Sequence, residues 1–310
     1  MWIRCALPTF ESSLSSGVKC VIILLKERAL IIDFHTHINP PEVIENRAKY
    51  LTGDIWFGEL YGDPKARLAT AEELVAEMDA AGVDMAVTFG FGWTDMGLCR
   101  LANDYVMEAV ARYPDRLVGF ACVNPARGSE AVQEVERCVA GGLKGIGELM
   151  PDGQGYHLDD ETVMRPLVEA ALAHGLPILT HTSEPVGHSY CGKGTITPDV
   201  VYRFVQCFSQ VTLICAHWGG GLPFYELMPE MKRAFSHVYY DTAASLYLYD
   251  DAIFPLATQL LPDKILFATD YPLITQRRFL KRVREAGLEE GELNKILGGN
   301  ARGILEPIMH

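Results

Sequence analysis

Short apolar runs alternate with segments of helical periodicity along most of this chain. The apolar runs are five to seven residues long, which is typical of strands buried on both faces of a parallel sheet. Eight segments have this character: Ala29–Phe34, Val83–Phe89, Leu117–Val123, Leu143–Leu149, Leu176–Thr180, Val211–Ala216, His237–Asp241 and Ile265–Thr269. The pattern therefore predicts eight strands.

The segments between these strands repeat apolar residues at helical spacing. Leu74, Val75 and Met78, for example, share one face of a predicted helix. The predicted helices are Ala71–Ala81, Arg100–Arg112, Glu130–Ala140, Thr162–His174, Pro198–Phe208, Phe224–Phe235, Asp251–Leu261, Thr275–Ala286 and Glu289–Leu297. We expect Gly298-Gly299 to end the last helix. The long connection Ile38–Thr70, rich in proline, glycine and aromatic residues, is predicted to be a functional loop.

Eight strands that alternate with helices indicate an α/β protein with a single (β/α)8 TIM barrel over residues 30–310. A doubly wound open sheet is the second choice, but no G-x-G-x-x-G follows the first predicted strand. Residues 1–29 form an N-terminal extension of uncertain role. Its apolar stretch is short and is followed by Lys26-Glu27-Arg28 rather than by a small-residue cleavage site, which disfavours a signal peptide.

Composition narrows the class of partner. The formal net charge of -13 over 310 residues argues against binding to nucleic acid or to an anionic membrane. The eight cysteines are scattered and contain no C-x-x-C, which is typical of free thiols in a reducing compartment. No apolar run reaches the ~20 residues of a membrane span. We therefore expect a cytoplasmic protein that binds neither nucleic acid nor a membrane, whereas the charge says nothing positive about a small-molecule substrate.

The first predicted strand runs into Asp33-Phe34-His35-Thr36-His37. Alternate side chains of a strand point the same way, so the two histidines can bind one metal ion. Imidazole suits zinc and similar transition metals. Further metal-binding residue types follow other predicted strands at the same end of the barrel: Glu148, His181, His217 and Asp270. Active sites of these barrels lie at that end, so the set predicts a metal site with one or two ions.

Four motifs give the chain a family resemblance. They are Asp33–His37 followed by Pro40, Ala216–Gly221, Ala268–Pro272 and Ile296–Arg302. In these residues the chain resembles the amidohydrolase superfamily. More narrowly, it is similar to the amidohydrolase-related branch that contains aminocarboxymuconate-semialdehyde decarboxylase and the dihydroxybenzoate decarboxylases. The resemblance extends from about Ile31 to Leu305.

The resemblance implies a role for each site residue. His35, His37, His181 and Asp270 would surround one divalent metal, with zinc the expected ion. Asp270 would also take or deliver protons on a metal-activated water, and His217 would be a second catalytic base or electrophile. A homodimer is implied by the family alone.

Glu148 departs from the pattern expected of the decarboxylases. In other branches of the superfamily a carboxylate at the end of the fourth strand bridges two metals. Glu148 could do so here, with His181 and His217 on the second ion, and a bridged pair favours hydrolysis. The alternative is that Glu148 orients a histidine that binds the metal. Both interpretations stay open at this point.

The substrate is weakly encoded. Aromatic residues predicted near the site suggest a planar or apolar substrate: Trp56, Phe57, Tyr61, Trp93 and Trp218. The cations that could hold a carboxylate are Arg47, Arg67 and Lys193, and His157 and His188 are possible substrate contacts.

These observations favour a metal-dependent hydrolase that acts on a small ester, lactone or amide with metal-activated water. The alternative is a non-oxidative decarboxylase or hydratase, a lyase, of a small aromatic or unsaturated carboxylic acid. A third hypothesis is a barrel that binds a metal or ligand without catalysis. The fold alone does not choose among them.

Overall fold

The computed structural model describes residues 29–309 and confirms the eight predicted strands. The N-terminal extension, apart from its last residue, lies outside the described residues. The strands are β1 Ile32–His37, β2 Met85–Phe89, β3 Leu117–Gly119, β4 Ile146–Leu149, β5 Ile178–Thr180, β6 Leu213–Cys215, β7 Val238–Asp241 and β8 Ile265–Leu266. Most are shorter than the apolar runs that predict them, because the ends of those runs are buried without ladder pairing.

The strands are parallel and follow one another in chain order. Ladders join β1 to β2 and β2 to β3, and a second set joins β4 to β5, β6, β7 and β8 in that order. Two isolated bridges span the gaps between these groups, Ala121 with Ile146 and Thr36 with Tyr271. At the second gap the His37 amide donates to the Tyr271 carbonyl at 2.7 Å. The arrangement is the predicted (β/α)8 TIM barrel.

Helices lie between the strands, and each one of eight or more residues corresponds to a predicted helix, except Asn300–Met309, which was not predicted. The α-helices of five or more residues are Pro41–Glu45, Arg47–Gly53, Ile55–Tyr61, Ala71–Ala81, Met96–Arg112, Ser129–Ala140, Glu161–His174, Pro198–Cys207, Pro229–Ala234, Ile253–Leu260, Gln276–Glu285, Glu290–Asn294 and Asn300–Met309. Short α-helical turns are Pro151–Gln154, Leu222–Tyr225 and Ser245–Leu248. Within residues 29–309, no helix combines the length and the apolar character that a membrane crossing requires.

Three predicted segments are wrong in detail. The connection Ile38–Thr70 is not a loop throughout, since it contains three short helices. The predicted helix Phe224–Phe235 is broken, because Pro229 restricts Met228 to an extended conformation. Gly298-Gly299 does not end the last helix, which continues through a π-helical turn, Lys295–Gly299, into Asn300–Met309.

Gly298 has a packing role instead of a helix-ending one. A Cβ atom at this position would lie 2.0 Å from the carbonyl oxygen of Leu30. The glycine therefore allows the C-terminal helical segment to approach the start of β1. The final helix then buries Ala301, Ile304 and Leu305 in the same apolar cluster as Phe34.

Gly119 on β3 is a second glycine at a close contact, and it allows the packing around the barrel strands to be tested. A Cβ there would lie 2.5 Å from Leu143 Cδ2 and 2.8 Å from Val106 Cγ1. We expect Gly119→Ala to lower the free energy of unfolding by about 1–3 kcal/mol, since overpacking forces the neighbours to move. Urea denaturation measures it. Gly53→Ala is the control, because nothing lies within 4 Å of its Cβ position. Equal stability of the two variants would contradict the packing described.

Candidate metal centre

Six side chains predicted from the strand ends meet at one place in the barrel. His35 and His37 come from β1, and Glu148 from β4. His181 directly follows β5, and His217 lies two residues beyond β6. Asp270 lies four residues beyond β8. Their proximity results from the parallel strands, whose carboxyl ends share one rim.

The first group of donors consists of His35, His37 and Asp270. The Nε2 atoms of the two histidines are 3.1 Å apart, and Asp270 Oδ1 lies 3.7 Å from His35 Nε2 and 3.4 Å from His37 Nε2. Four tetrahedral ligands at zinc bonding distances are separated by about 3.4 Å. The three donors therefore have the spacing that a single cation requires.

The second group consists of Glu148, His181 and His217. His181 Nδ1 is 3.1 Å from Glu148 Oε1 and 3.1 Å from His217 Nε2, and His217 Nε2 is 3.7 Å from the same carboxylate oxygen. This spacing also suits a cation. The resemblance had implied that His181 joins His35, His37 and Asp270, whereas the structure places it in this second group.

Glu148 contacts both groups through different oxygens. Its Oε2 lies 3.5 Å from His35 Nε2 and 3.6 Å from His37 Nε2, while Oε1 faces His181 and His217. The carboxylate could thus supply a fourth donor to the first group and a third donor to the second. Its geometry is compatible with one ion or with a bridged pair.

Each of the four histidines directs one ring nitrogen towards the donor cluster and the other away from it. In each ring the nitrogen away from the cluster faces a protein acceptor. These acceptors are Asp241 Oδ2 for His35 at 2.8 Å, the Gly90 carbonyl for His37 at 3.3 Å, the Gly192 carbonyl for His181 at 2.8 Å and the Ala243 carbonyl for His217 at 3.2 Å. A proton on the outer nitrogen leaves the inner lone pair for a cation. The donor set fits a divalent transition metal.

Asp241 links the two groups, and our sequence interpretation gave it no role. Its Oδ2 accepts from His35 Nδ1, while Oδ1 accepts from the backbone amides of His217 and Ala243, each at 3.0 Å. The residue is fully buried at the end of β7. Asp241 could have been recognised from the sequence, because it is a carboxylate that ends a predicted strand at the same rim as the other site residues.

The backbone at two of the site residues has an uncommon conformation. His217 and Asp270 have φ of 55° and 62°, a region that residues with a side chain seldom adopt. After His217 the positive φ continues to Gly221. Gly220 lies so close to the Ser183 carbonyl oxygen that a Cβ would be 2.2 Å from it. The glycine-rich motif therefore forms a tight left-handed turn that directs His217 into the site.

Strong electrostatic coupling accompanies this geometry. Burial opposes charge on Glu148, but neighbouring His35 and contacts with His181 and His217 hold the pKa of the carboxyl well below its usual range. Burial likewise opposes charge on Asp270, yet His37 and His35 lower its pKa to about 2. Both side chains are thus carboxylates at neutral pH, the form that binds cations.

A cavity of 410 Å³ opens above these donors. Of the aromatic residues predicted to form its wall, Tyr61 lines it, but Trp56, Phe57, Trp93 and Trp218 do not. Phe57, Trp93 and Trp218 are buried in the core, where they pack against other aromatic rings. Their apolar surface is used for folding rather than for substrate.

Of the three cationic side chains predicted to hold a substrate carboxylate, one lines the cavity. Arg67 lines the cavity, and it is the only lysine or arginine among the described residues that do. Arg47 is used within the chain, since its guanidinium donates to the carbonyls of Tyr61 and Ala66 at 3.0 and 2.9 Å. Lys193 likewise donates to the Val186 carbonyl at 2.6 Å.

Two histidines were predicted as possible substrate contacts. His188 lines the cavity and His157 does not.

Asp241 provides the test of this geometry. Asp241→Asn keeps the shape but removes the charge that holds a proton on His35 Nδ1. We expect metal affinity to fall about 10–100-fold, with the fold retained. Metal titration measures the affinity, and circular dichroism shows whether the fold is retained. Asp250→Asn is the control, because Asp250 is exposed and caps a turn through Ala252. Equal metal affinity in the two variants would contradict the role given to Asp241.

A curated decarboxylase is similar to this chain in sequence. The 2-amino-3-carboxymuconate-6-semialdehyde decarboxylase of Dictyostelium discoideum is 24% identical over 236 residues, which are 68% of this chain. The match spans 63% of that relative, less than two thirds of its length.

Solved structures give the same picture at the level of the fold. The 5-carboxyvanillate decarboxylase of Sphingomonas paucimobilis has a TM-score of 0.74 at 22% identity, covering 90% of this chain and 99% of its own. The 5-carboxyvanillate decarboxylase of Novosphingobium aromaticivorans has a TM-score of 0.72 at 21% identity, covering 91% and 97%. The family model described as Amidohydrolase matches residues 32–306. The chain therefore belongs to the amidohydrolase family.

Proposed function

We propose that this protein is a metal-dependent decarboxylase that releases carbon dioxide from a small aromatic carboxylic acid. The observation that carries the proposal is the buried donor cluster that forms the floor of a 410 Å³ cavity. Leu60, Met150, Leu248 and Pro272 give this cavity apolar walls. Its size and lining suit one planar ring above a metal centre.

The relatives support this reaction over the hydrolysis that the sequence analysis preferred. The curated relative and both solved structures described above are named decarboxylases. The structure from Novosphingobium aromaticivorans is described as a complex with manganese and 4-hydroxy-3-methoxy-5-nitrobenzoic acid, a substituted aromatic acid. Lyase chemistry, our alternative, therefore becomes the first choice.

The first donor group is the proposed metal position. His35, His37, Asp270 and one oxygen of Glu148 would hold a divalent cation. The imidazoles suit zinc, as predicted, whereas manganese is the metal of the solved relative, so both are candidates. When bound, the cation would withdraw electron density from a substrate oxygen.

The protein's own residues would then orient the acid and move one proton. Decarboxylation breaks the bond between the ring carbon and the carboxylate carbon, and its electron pair stays on the ring carbon. That carbon takes a proton, and the carboxylate leaves as carbon dioxide. Asp270 and His217 border the cavity and can hold the proton beside the substrate. Arg67, at the same cavity, can attract the acid.

Hydrolysis is a second candidate because of one observation. Glu148 directs its two oxygens to two different donor groups, as a carboxylate between two cations would. Two cations would polarise a carbonyl and activate a water together. The number of ions therefore distinguishes the two functions.

A direct assay tests the proposal. The protein loaded with zinc or manganese should release carbon dioxide from at least one acid in a panel of hydroxybenzoates. It should not hydrolyse a matched panel of aryl esters and lactones. His217→Asn should lower the turnover rate by about 10²–10⁴-fold, since it removes a proton-transfer group, while leaving most of the metal. Carbon dioxide detection and elemental analysis measure these outcomes.

The matched control is His174→Asn, because His174 pairs with Glu136 at the surface, at 2.8 Å. It should keep the wild-type rate. Ester hydrolysis without carbon dioxide release would overturn the decarboxylase in favour of the second candidate. Loss of about half of the metal in His217→Asn would identify His217 as a ligand of a second ion.

Metal stoichiometry gives a separate prediction for Glu148. Under the decarboxylase proposal, wild-type protein saturated with zinc should hold one ion per chain. Glu148→Gln should lower the affinity for that ion, because a negative charge beside the donors is lost. The stoichiometry at saturation should not change. Elemental analysis after gel filtration measures it, with the exposed Glu169→Gln as the control. Two ions in wild type, falling to one in Glu148→Gln, would instead support the hydrolase.

A further inference from the structure

The loop after β5 contacts the metal centre directly. It comprises residues 182–197, which follow His181, and we call it the β5 loop. Four of its residues line the cavity: His188, Tyr190, Cys191 and Gly192. The Gly192 carbonyl also accepts from His181 Nε2 at 2.8 Å. The same loop therefore forms part of the cavity wall and fixes one ring of the cavity floor.

Lys193 joins separate parts of the β5 loop. Its ammonium donates to the carbonyls of Val186 and His188 at 2.6 and 3.2 Å. It also lies 5.7 Å from the centroid of the Tyr190 ring, within the range of a cation–π contact. Within residues 29–309 this ammonium has no carboxylate partner. Its charge is therefore used to hold the backbone of the loop rather than to form an ion pair.

The residues on either side of Lys193 attach the loop to the site. Gly192 contacts His181 through its carbonyl, as described above. The Gly194 amide donates to Ser183 Oγ at 2.9 Å, and this hydroxyl oxygen lies 3.4 Å from His181 Nε2. Three consecutive residues thus connect the interior of the loop with the outer nitrogen of a site histidine.

The position of the Gly192 carbonyl depends on these neighbours. Gly192 has a φ of 91°, which residues with a side chain seldom adopt, and a Cβ there would lie 2.8 Å from Leu60 Cδ2. The residue consequently has no side chain that could anchor its own carbonyl. The contacts of Lys193 and Gly194 must hold it in place.

His181 transmits the position of this carbonyl to the metal centre. A proton held on Nε2 by the carbonyl directs the lone pair of Nδ1 to the donor cluster. Nδ1 lies 3.1 Å from Glu148 Oε1, while Glu148 Oε2 faces the proposed metal position. A turned ring would release one oxygen of Glu148, and the other oxygen would lose its fixed position. The β5 loop can therefore change metal affinity although none of its atoms is a proposed ligand.

We infer that Lys193 is a positioning residue for the metal centre, because it holds the β5 loop in the conformation that keeps the Gly192 carbonyl on His181. The inference rests on the metal centre of the proposed function but not on the reaction or the substrate. The sequence had suggested that Lys193 holds a substrate carboxylate. Its contacts give it this different role, in which one wall of the cavity is coupled to the floor.

Lys193→Met tests the inference, since methionine keeps much of the length of the side chain and lacks the ammonium. We expect the dissociation constant of the metal alone, manganese or zinc, to rise about tenfold in calorimetric titrations. Charge alone predicts the opposite sign, because removal of a positive charge near the site favours binding of a cation. A rise would therefore report positioning rather than a change of net charge.

Hydrogen–deuterium exchange provides a second measurement that does not depend on affinity. In wild type, saturating metal should slow amide exchange in the peptide that covers residues 184–194, because it fixes His181 and with it the loop. In Lys193→Met the metal-free loop should exchange about fivefold faster than in wild type, as expected for loss of a hydrogen bond. The slowing by metal should be lost.

Lys281→Met is the matched control. It removes the same charge from an exposed lysine on the helix Gln276–Glu285, where the ammonium lies 3.8 Å from Glu285 Oε1. Its metal affinity and its loop exchange should equal those of wild type. The thermal midpoint of metal-free Lys193→Met should stay close to that of wild type, because residues 185–189 of the loop are exposed.

The outcomes separate the inference from the proposed function. Equal metal affinity in Lys193→Met and wild type, or an equal loss in Lys281→Met, would overturn the role of Lys193. If Lys193→Met does not fold, wild type alone decides, since loop exchange that is unaffected by metal would overturn the coupling. Wild-type protein that binds neither metal would overturn the metal centre and the proposed function with it. Metal binding without carbon dioxide release would count against the decarboxylase only.

Discussion

The buried negative charge of Glu148 is the constraint on which the site depends. A carboxylate taken out of water costs several kcal/mol unless it is paired. Here four imidazoles surround it, two at each oxygen, within 3.1–3.7 Å. Each of these rings is in turn fixed by an acceptor on its far side. The floor of the cavity is therefore one connected unit, and moving any ring would leave a buried charge or a ring nitrogen without its partner.

Asp241 shows how the barrel supports that unit. It spans from the side chain of His35 on β1 to the backbone of His217 after β6, so it connects the two donor groups from beneath. Asp33 has a similar role at the β1–β8 seam, where it accepts from the Thr269 amide and hydroxyl at 3.0 and 2.6 Å. Strand ends that lie apart in sequence are thus held in register by buried carboxylates, which support the spacing of the donor atoms.

The sequence predicted the barrel and the six donors because both depend on local patterns. An apolar run that ends in a histidine or carboxylate specifies a strand and the rim it points to. Pairing of the donors could not be predicted, because it depends on how strands of different length and tilt meet. His181 belongs with Glu148 and His217 for this reason. The prediction of an aromatic substrate wall was wrong for a related reason. Trp93 and Trp218 pack inside the core, and the sequence does not distinguish an aromatic residue of the core from one that contacts a substrate.

The connection after β1 explains why the floor and the wall of the site differ in character. The floor is built from strand ends, whose positions the barrel fixes. Residues 38–70 form one part of the wall, with Leu60 and Arg67 on the cavity. The helices of this connection are short and depend on contacts such as the Asp54 carboxylate, which accepts from the amides of Phe57 and Thr94. Reaction chemistry requires the fixed floor, since donors must lie within tenths of an ångström of their positions. Side chains on the wall, in contrast, can change without disturbing the barrel. A fixed floor with a changeable wall allows one barrel fold to serve different substrates.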